Sequence, residues 1–314
     1  MTTDRIVFRE VSKFYGEVLG VNRVNLEIAP GLTGLVGPNG SGKSTLMHLM
    51  TGLLHPSRGR VEVLGVPTDR PEELFRLVGY CTQYDTFPPG ATGRSFLREA
   101  LSLHGVGRDE ADARALESLR TVGLADAAGR RIAGYSKGMR QRAKLAHAML
   151  HDPRVLVLDE PLNGLDPVGR SEVMDVVARL AAEGRHVVVS SHILHEVDAV
   201  SDSVVMIHGG AIVAEGEIRA VRGELTRHPI QVLVRCDDPR RVAALLFGLP
   251  HVVEVRVLDT DDGLLVRTRD ATSLFRTLTG LLVDAGVEVE TVAPADESVH
   301  AVYDYLIGGT GGAA

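Results

Sequence analysis

The chain has 314 residues, of which 44% are hydrophobic and 24% charged, as is ordinary for a soluble globular protein with more than one core. Its formal charge of −7 argues against nucleic-acid binding as the main function, because a phosphate backbone requires a basic surface. No apolar run approaches the roughly 18 residues that span a bilayer, and the first residues do not resemble a signal peptide. The two cysteines form no spaced motif, so we expect two packed thiols in a reducing compartment.

The N-terminal region predicts a small β-rich subdomain around a phosphate-binding loop. Apolar stretches at 6–8, 24–28 and 61–64 flank a short strand at 32–36, and a helix is expected at 44–54. The loop between strand and helix reads G-P-N-G-S-G-K-S-T and matches G-x-x-x-x-G-K-[ST]. In this motif backbone N–H groups surround phosphate oxygens, the lysine reaches the β- and γ-phosphates, and a hydroxyl holds Mg²⁺. The nucleotide-binding residues predicted from it are Gly37, Asn39, Gly40, Ser41, Gly42, Lys43, Ser44 and Thr45, with Ser44 at the metal.

A glycine-rich turn without a ligand is the alternative interpretation of this loop, because the pattern occurs by chance in roughly a few per hundred sequences of this length. The surrounding order of strand, loop and helix favours the phosphate site. This order brings the N-terminus of a helix, with its dipole and free N–H groups, to the anion.

The region 84–150 is predicted to be helical, with segments rich in Ala, Leu and Arg at 95–103, 110–122 and 138–150. The last segment follows the sequence Y-S-K-G-M-R-Q, in which Ser136 stands where an N-cap is expected. We therefore expect a second helix N-terminus that can face a phosphate.

Two adjacent acids follow the apolar run V-L-V-L at 155–158. A run without a polar break is typical of a strand buried on both faces of a parallel sheet, so Asp159 and Glu160 lie at its carboxyl end, where such sheets bind ligands. Burying two acids is costly unless a cation or proton relieves them, and nucleotide-bound Mg²⁺ supplies that charge. We interpret Asp159 as the Mg²⁺-linked acid and Glu160 as the group that orients or deprotonates the attacking water. The alternative is an ordinary strand-end turn, in which Asp, Glu and Pro are common.

The last third of the chain predicts a separate α+β domain. Strands and helices alternate in the order β-α-β-β-α-β, which is the ferredoxin-like unit. The predicted segments are 230–235, 239–247, 252–258, 263–268, 273–285 and 287–292. A further helix is expected at 296–307, and the glycine-rich tail at 308–314 is expected to be mobile.

Taken together, the motifs resemble those of the nucleotide-binding subunit of an ABC transporter. Y-S-K-G-M-R-Q resembles the signature usually written L-S-G-G-Q: Ser136 and Gly138 match it, whereas Lys137 and Met139 depart from it and bear on the rate of turnover. The resemblance implies that Ser136 and Gly138 contact a nucleotide held by a second copy.

Four further roles are implied by the resemblance alone. Tyr15 matches the aromatic residue that stacks on adenine, and Gln83 the glutamine that senses Mg²⁺ and reports to the membrane partner. Asp166, in N-G-L-D-P, matches the loop that touches the opposite subunit, and His192 the histidine that contacts the γ-phosphate.

Each of these residues also has a simpler interpretation. Tyr15 is alternatively a packing residue, Gln83 an ordinary loop residue and His192 a structural histidine. A metal site built from His192, His195 and Glu196 is rejected, because the spacing is not H-E-x-x-H and no third ligand is evident.

The resemblance implies an α/β fold: a P-loop (RecA-like) ABC ATPase core with a β-subdomain and a helical subdomain over 1–224, followed by a ferredoxin-like domain over 229–307. It further implies an ATPase that uses ATP and Mg²⁺, pairs with a second copy head to tail, and drives a separate membrane permease from the cytoplasmic face of the membrane. Segment 84–92 would receive the permease, and the C-terminal extension resembles those of ABC-2 type exporters, which favours export. What is transported would be read by the permease.

Two other classes remain as alternatives. Soluble ABC ATPases that act on ribosomes or DNA usually carry two ATPase units or coiled-coil insertions, and this chain has neither, so no nucleic acid is expected as a partner. A P-loop kinase that phosphorylates a small molecule would not account for the signature or for His192.

Overall fold

The computed structural model describes residues 4–191, 201, 203–217, 230–258, 260 and 262–294. The chain divides into two compact units, with the main boundary between residues 215 and 216. The predicted domain limits at 224 and 229, the helix at 296–307, the tail and His192 lie outside the described residues.

The first unit contains an antiparallel sheet with the strand order β2-β1-β4-β5. Its strands are β1 (Ile6–Tyr15), β2 (Val18–Ile28), β4 (Arg58–Val63) and β5 (Val66–Pro67). Apolar side chains of the alternating segments, such as Ile6, Phe8 and Val61, are buried on one face. This sheet is the predicted β-subdomain, with strands longer than the apolar stretches that indicated them.

A second sheet of six strands forms the centre of the first unit, in the order β10-β9-β3-β8-β7-β6. Its strands are β3 (Gly31–Val36), β6 (Val78–Cys81), β7 (Val155–Leu158), β8 (His186–Ser191), β9 (Ser203–His208) and β10 (Ala211–Glu217). The pairings from β9 through β3, β8 and β7 to β6 are all parallel. All four residues of β7 are buried, which confirms the prediction of a strand covered on both faces.

Six helices belong to the described part of the first unit. They are α1 (Lys43–Met50), α2 (Pro71–Leu77), α3 (Gly93–Leu103), α4 (Arg108–Thr121), α5 (Lys137–Met149) and α6 (Pro167–Ala182). Helices α3, α4 and α5 agree with the predicted helical region. Helix α1 ends four residues before the predicted limit, because the chain turns at Gly52 with φ +72°.

Helix α5 lies directly on the central sheet. A Cβ built on Gly79 of β6 would overlap the carbonyl oxygen of Ala148, so only glycine lets the helix backbone approach this closely. Ser136 caps the helix as predicted, since its Oγ accepts a hydrogen bond from the backbone N–H of Met139 at 3.2 Å.

The second unit is a four-stranded antiparallel sheet with two helices in the order β-α-β-β-α-β. Its elements are β11 (Ile230–Cys236), α7 (Pro239–Leu246), β12 (Val252–Val257), β13 (Gly263–Thr268), α8 (Ala271–Ala285) and β14 (Val289–Pro294). The strand order β12-β13-β11-β14 is that of the ferredoxin-like unit, as predicted. Its core combines Val232, Val234 and Leu264 of the sheet with Leu246 and Leu274 of the helices.

Both cysteines are free and buried, as expected from their spacing. Burial raises the pKa of the Cys81 thiol to about 12 and also raises the pKa of Cys236. Among the described residues, none of the helices has both the length and the apolar character needed to cross a bilayer.

Three histidines lie together where α3 and α5 end: His104 is the C-cap of α3, His147 is in the last turn of α5, and His151 follows α5. The rings of His104 and His151 stack with centroids 4.4 Å apart, and His147 stacks on Phe96 at 4.9 Å. Burial, reinforced by His104, lowers the pKa of His151 to about 4. A histidine whose pKa is lowered by folding stabilises the fold above its unfolded pKa of about 6.5, and this contribution is lost as the pH falls toward 4.

Replacing His151 with glutamine should therefore reduce the acid sensitivity of the fold. Glutamine has no charge to acquire and keeps a donor for the carbonyl of Val78, which His151 Nε2 contacts at 3.2 Å. Between pH 7 and pH 5 we expect the variant to lose about 1 kcal/mol less unfolding free energy than the wild type, after allowance for partial exposure. Denaturant unfolding at the two pH values measures this. The exposed His55→Gln is the control, and an equal loss in all three proteins would contradict the argument.

Candidate active site

The P-loop joins β3 to α1 at the carboxyl end of the central sheet. Gly42 is the N-cap of α1 and has φ +111°, and a Cβ there would come within 2.8 Å of the Gly20 carbonyl oxygen. Ser41 Oγ is buried and has no hydrogen-bond partner among the described residues, although buried hydroxyls are usually satisfied. A cradle with an orphaned hydroxyl and the start of a helix fits a phosphate group.

Lys43 lies inside this loop rather than in solvent. Its Nζ donates to the carbonyl oxygens of Gly37 at 2.6 Å and Pro38 at 3.0 Å. Burial lowers the pKa of Lys43, and the charges of Glu160 and Asp159 partly oppose this effect. The ammonium group is thus positioned to exchange two carbonyl contacts for phosphate oxygens.

Asp159, at the end of β7, is held by hydroxyl groups from two other segments. Ser44 Oγ donates to Asp159 Oδ2 at 3.1 Å, and Ser190 Oγ donates to Asp159 Oδ1 at 2.8 Å. Ser190 also accepts a hydrogen bond from the backbone N–H of Glu160 at 2.8 Å. Ser190 was not among the predicted site residues, although a polar residue near the end of a buried apolar strand is the same signal that identified Asp159.

These residues fit Mg²⁺ in the way expected for a nucleotide site. The described residues contain no group of three or more His, Cys, Asp or Glu side chains that could hold a metal alone. Ser44 and Asp159 supply one hydroxyl and one carboxylate, and Mg²⁺ in such sites takes its remaining ligands from water and phosphates. A metal bound here would therefore depend on the nucleotide.

Glu160 adopts a left-handed backbone conformation with φ 47°, which is uncommon for a residue other than glycine. Its Oε2 accepts hydrogen bonds from Gln83 Nε2 at 2.8 Å and from Asn163 Nδ2 at 3.2 Å. The structure thus brings the predicted Gln83 to the predicted Glu160. It adds Asn163, which begins the N-G-L-D-P motif but was not among the predicted site residues.

Tyr15 lies at the edge of the β-subdomain beside the P-loop helix. Its hydroxyl is 3.3 Å from Thr45 Oγ1, and Lys13 Nζ is 5.7 Å from the ring centroid. The residue is 45% exposed, which does not favour the alternative of a pure packing role.

The remaining predicted residues lie at the start of helices or outside the described residues. Asp166 is the N-cap of α6, and its Oδ1 accepts a hydrogen bond from the Gly169 N–H at 2.9 Å. Gly138 lies in the first turn of α5, after Ser136. His192 lies outside the described residues, so its role stays a prediction.

Comparisons with known proteins identify the family to which the chain belongs. The sequence model of the ABC transporter family matches residues 21–163. The daunorubicin resistance ATP-binding protein DrrA3 of Streptomyces coeruleorubidus is 34% identical over 313 residues, which are 98% of this chain and 97% of that protein. The bacitracin transport ATP-binding protein BcrA of Enterococcus faecalis is 30% identical over 96% of both chains.

A solved structure gives the same result for the fold. The dimeric, post-hydrolysis ATP-binding cassette MJ0796 with ADP and Pi is 25% identical, with a TM-score of 0.64 over 68% of this chain and 99% of that one. The P-loop, the buried carboxylate of Asp159 and this likeness define an ATP-binding cassette with ATPase activity. The chain belongs to the ABC transporter family, as one of its ATP-binding subunits.

Removal of the Tyr15 ring should weaken ATP binding. Because an aromatic face stacked on a base contributes roughly 1–3 kcal/mol, we expect Tyr15→Ala to raise the Kd for ATP by about 10- to 100-fold. Equilibrium binding of a fluorescent ATP analogue measures this. Tyr15→Phe keeps the ring and serves as the control, and an unchanged Kd for Tyr15→Ala would favour the packing role.

Proposed function

We propose that two copies of the chain close head to tail on two Mg²⁺-ATP molecules, and that this closure drives a separate membrane permease. Each P-loop would then face Ser136 and Gly138 of the other copy. The observation that carries this proposal is the capped N-terminus of α5, which offers a second anion site. The dimeric state of the MJ0796 cassette supports the same arrangement.

The hydrolytic step would depend on the P-loop residues and on the two acids that follow β7. The P-loop and Lys43 bind the phosphates, and Ser44 with Asp159 would hold Mg²⁺, which neutralises charge on the phosphate oxygens. Glu160 orients a water molecule and accepts its proton as the oxygen attacks the γ-phosphorus, and ADP leaves. By resemblance, His192 would contact the γ-phosphate.

The closed dimer would open after hydrolysis because its interface contains the γ-phosphate. The closed state is stabilised only while the nucleotide contacts both copies. Loss of phosphate removes this bridge, so a cycle of binding and hydrolysis becomes a cycle of closing and opening.

The permease would contact segment 84–92. Tyr84 in this segment is 73% exposed, so a large aromatic side chain is available for the contact. Asp85 ties this segment to α5: its Oδ2 lies 2.7 Å from Arg140 Nε, and its Oδ1 lies 3.0 Å from Lys144 Nζ. Burial favours a higher pKa for Asp85, but these two cations hold the pKa below its ordinary value.

Transport would be outward. The names of DrrA3 and BcrA, a daunorubicin resistance protein and a bacitracin transport protein, support a subunit of an exporter, and both likenesses extend across the C-terminal unit. The chain would therefore sit at the cytoplasmic face of the membrane through its permease.

Glu160→Gln should separate closure from turnover. We expect the variant to bind ATP normally and to hydrolyse it about 10²–10⁴-fold more slowly, because the amide cannot accept the proton. Light scattering or sedimentation should then show dimers with Mg²⁺-ATP and monomers without it. Glu17→Gln, in the exposed turn between β1 and β2, is the control. Monomers of Glu160→Gln in both conditions would count against head-to-tail closure.

Tyr84→Ala should weaken attachment to the permease without affecting the ATPase site. When the tagged chain is purified from membranes in mild detergent, we expect a polytopic membrane protein with the wild type and at least several-fold less of it with the variant. Phe75→Ala removes another exposed aromatic residue, which is 46% exposed on α2, and should behave as wild type. Equal recovery with all three chains would exclude Tyr84 from the contact.

A further inference from the structure

We propose that Asn163 positions the carboxylate of Glu160, and that Lys137 of the signature turn supports the loop that carries Asn163. This inference rests on the proposed role of Glu160 as the group that activates water. It concerns two residues to which neither the P-loop nor the signature motif assigns a task.

Asn163 is bound to Glu160 at two points. Its backbone N–H donates to the Glu160 carbonyl oxygen at 3.1 Å, and its side-chain Nδ2 donates to Glu160 Oε2 at 3.2 Å. The backbone contact closes a tight turn, which fixes where the amide group of Asn163 lies. The same carboxylate oxygen also accepts from Gln83 Nε2 at 2.8 Å, so two amides restrict its position.

The turn is anchored on both sides by buried leucines. Leu162 is 5% exposed and Leu165 is 7% exposed, whereas Asn163 and Gly164 between them are exposed. The leucines fix the ends of the turn in the core. The residues between them are exposed and are held by Glu160 and, as described next, by Lys137.

Lys137 contacts this turn at Gly164. Gly164 has φ +75°, and a Cβ built there would overlap Cδ, Cε and Nζ of the Lys137 side chain. The next signature residue also touches the turn, since a Cβ on Gly138 would lie 3.2 Å from Leu165 Cδ2. The start of α5 therefore lies against the segment that orients Glu160.

The contact with Gly164 involves the alkyl chain of Lys137 as well as its ammonium group. A long apolar side chain can keep this contact, and alanine cannot. Lys137 is at the N-terminus of α5, where the helix dipole disfavours a positive charge, and the first turn contains no acidic residue to offset it. The departure of Lys137 from the usual signature thus has a local structural role in supporting the turn.

The test for Asn163 is the single-turnover rate of ATP hydrolysis, measured together with the Kd for ATP. We expect Asn163→Ala to lower the maximal rate about 10- to 100-fold, because small displacements of a reacting group have effects of this size. The Kd for ATP should stay within about twofold, since Asn163 contacts Glu160 and not the P-loop.

Asn163→Asp gives a readout that a merely structural role would not change. Aspartate keeps the size of asparagine but has no N–H group to donate to Glu160 Oε2. We therefore expect Asn163→Asp to hydrolyse ATP at least as slowly as Asn163→Ala with an unchanged Kd for ATP, whereas a role that depends only on the shape of the turn would leave its rate near that of the wild type. Asn25, whose Nδ2 donates to Glu10 in the β-subdomain, provides the matched controls Asn25→Ala and Asn25→Asp.

The test for Lys137 is a comparison of two side chains. Lys137→Ala should lower the single-turnover rate several-fold, and Lys137→Met should restore most of that loss. Equal rates for Lys137→Ala and the wild type, or an equal defect in the alanine and methionine variants, would overturn the support role.

Glu160→Gln separates the two proposals. If that variant hydrolyses ATP at the wild-type rate, the proposed role of Glu160 is wrong and this inference fails with it. If it is inactive while Asn163→Ala and Asn163→Asp match the wild type in rate, only the positioning role is wrong.

Discussion

The site depends on a carboxylate that is held at the end of a completely buried strand. Asp159 is 3% exposed, and its two oxygens accept hydrogen bonds from Ser44 and Ser190. A buried charge is tolerated only when it is paired or hydrogen-bonded, so these hydroxyls decide where the acid can lie. Because Ser44 belongs to the P-loop helix and Ser190 to a neighbouring strand, one carboxylate fixes three segments relative to each other.

The charged groups around the P-loop explain why this loop suits a nucleotide. Lys43 faces two acids from a buried position, and its contacts are carbonyl oxygens of its own loop. Phosphate oxygens would supply negative charge to Lys43, and Mg²⁺ would supply positive charge to the two acids. The site is thus a set of buried polar groups whose best partners come from a ligand.

Much of the fold could be predicted from local patterns. The P-loop, the buried strand before Asp159, the N-cap at Ser136 and the ferredoxin-like order each leave a periodic or compositional signal. Helices α2 and α6 and strands β5, β6, β9 and β10 lie outside the predicted elements, because their segments are short or carry a weaker pattern. Ser190 carries the same strand-end signal as Asp159, but its hydrogen bonds to Asp159 and Glu160 form only in the folded chain. Asn163 reaches Glu160 through contacts that no local pattern indicates.

The burial of both native thiols has a practical consequence. A thiol reacts as its thiolate, and Cys81 and Cys236 are buried with raised pKa values. Maleimide dyes or spin labels should therefore modify an engineered surface cysteine selectively, in the otherwise native sequence. A pair of such probes on two copies would report the distance between them through each round of nucleotide binding and release.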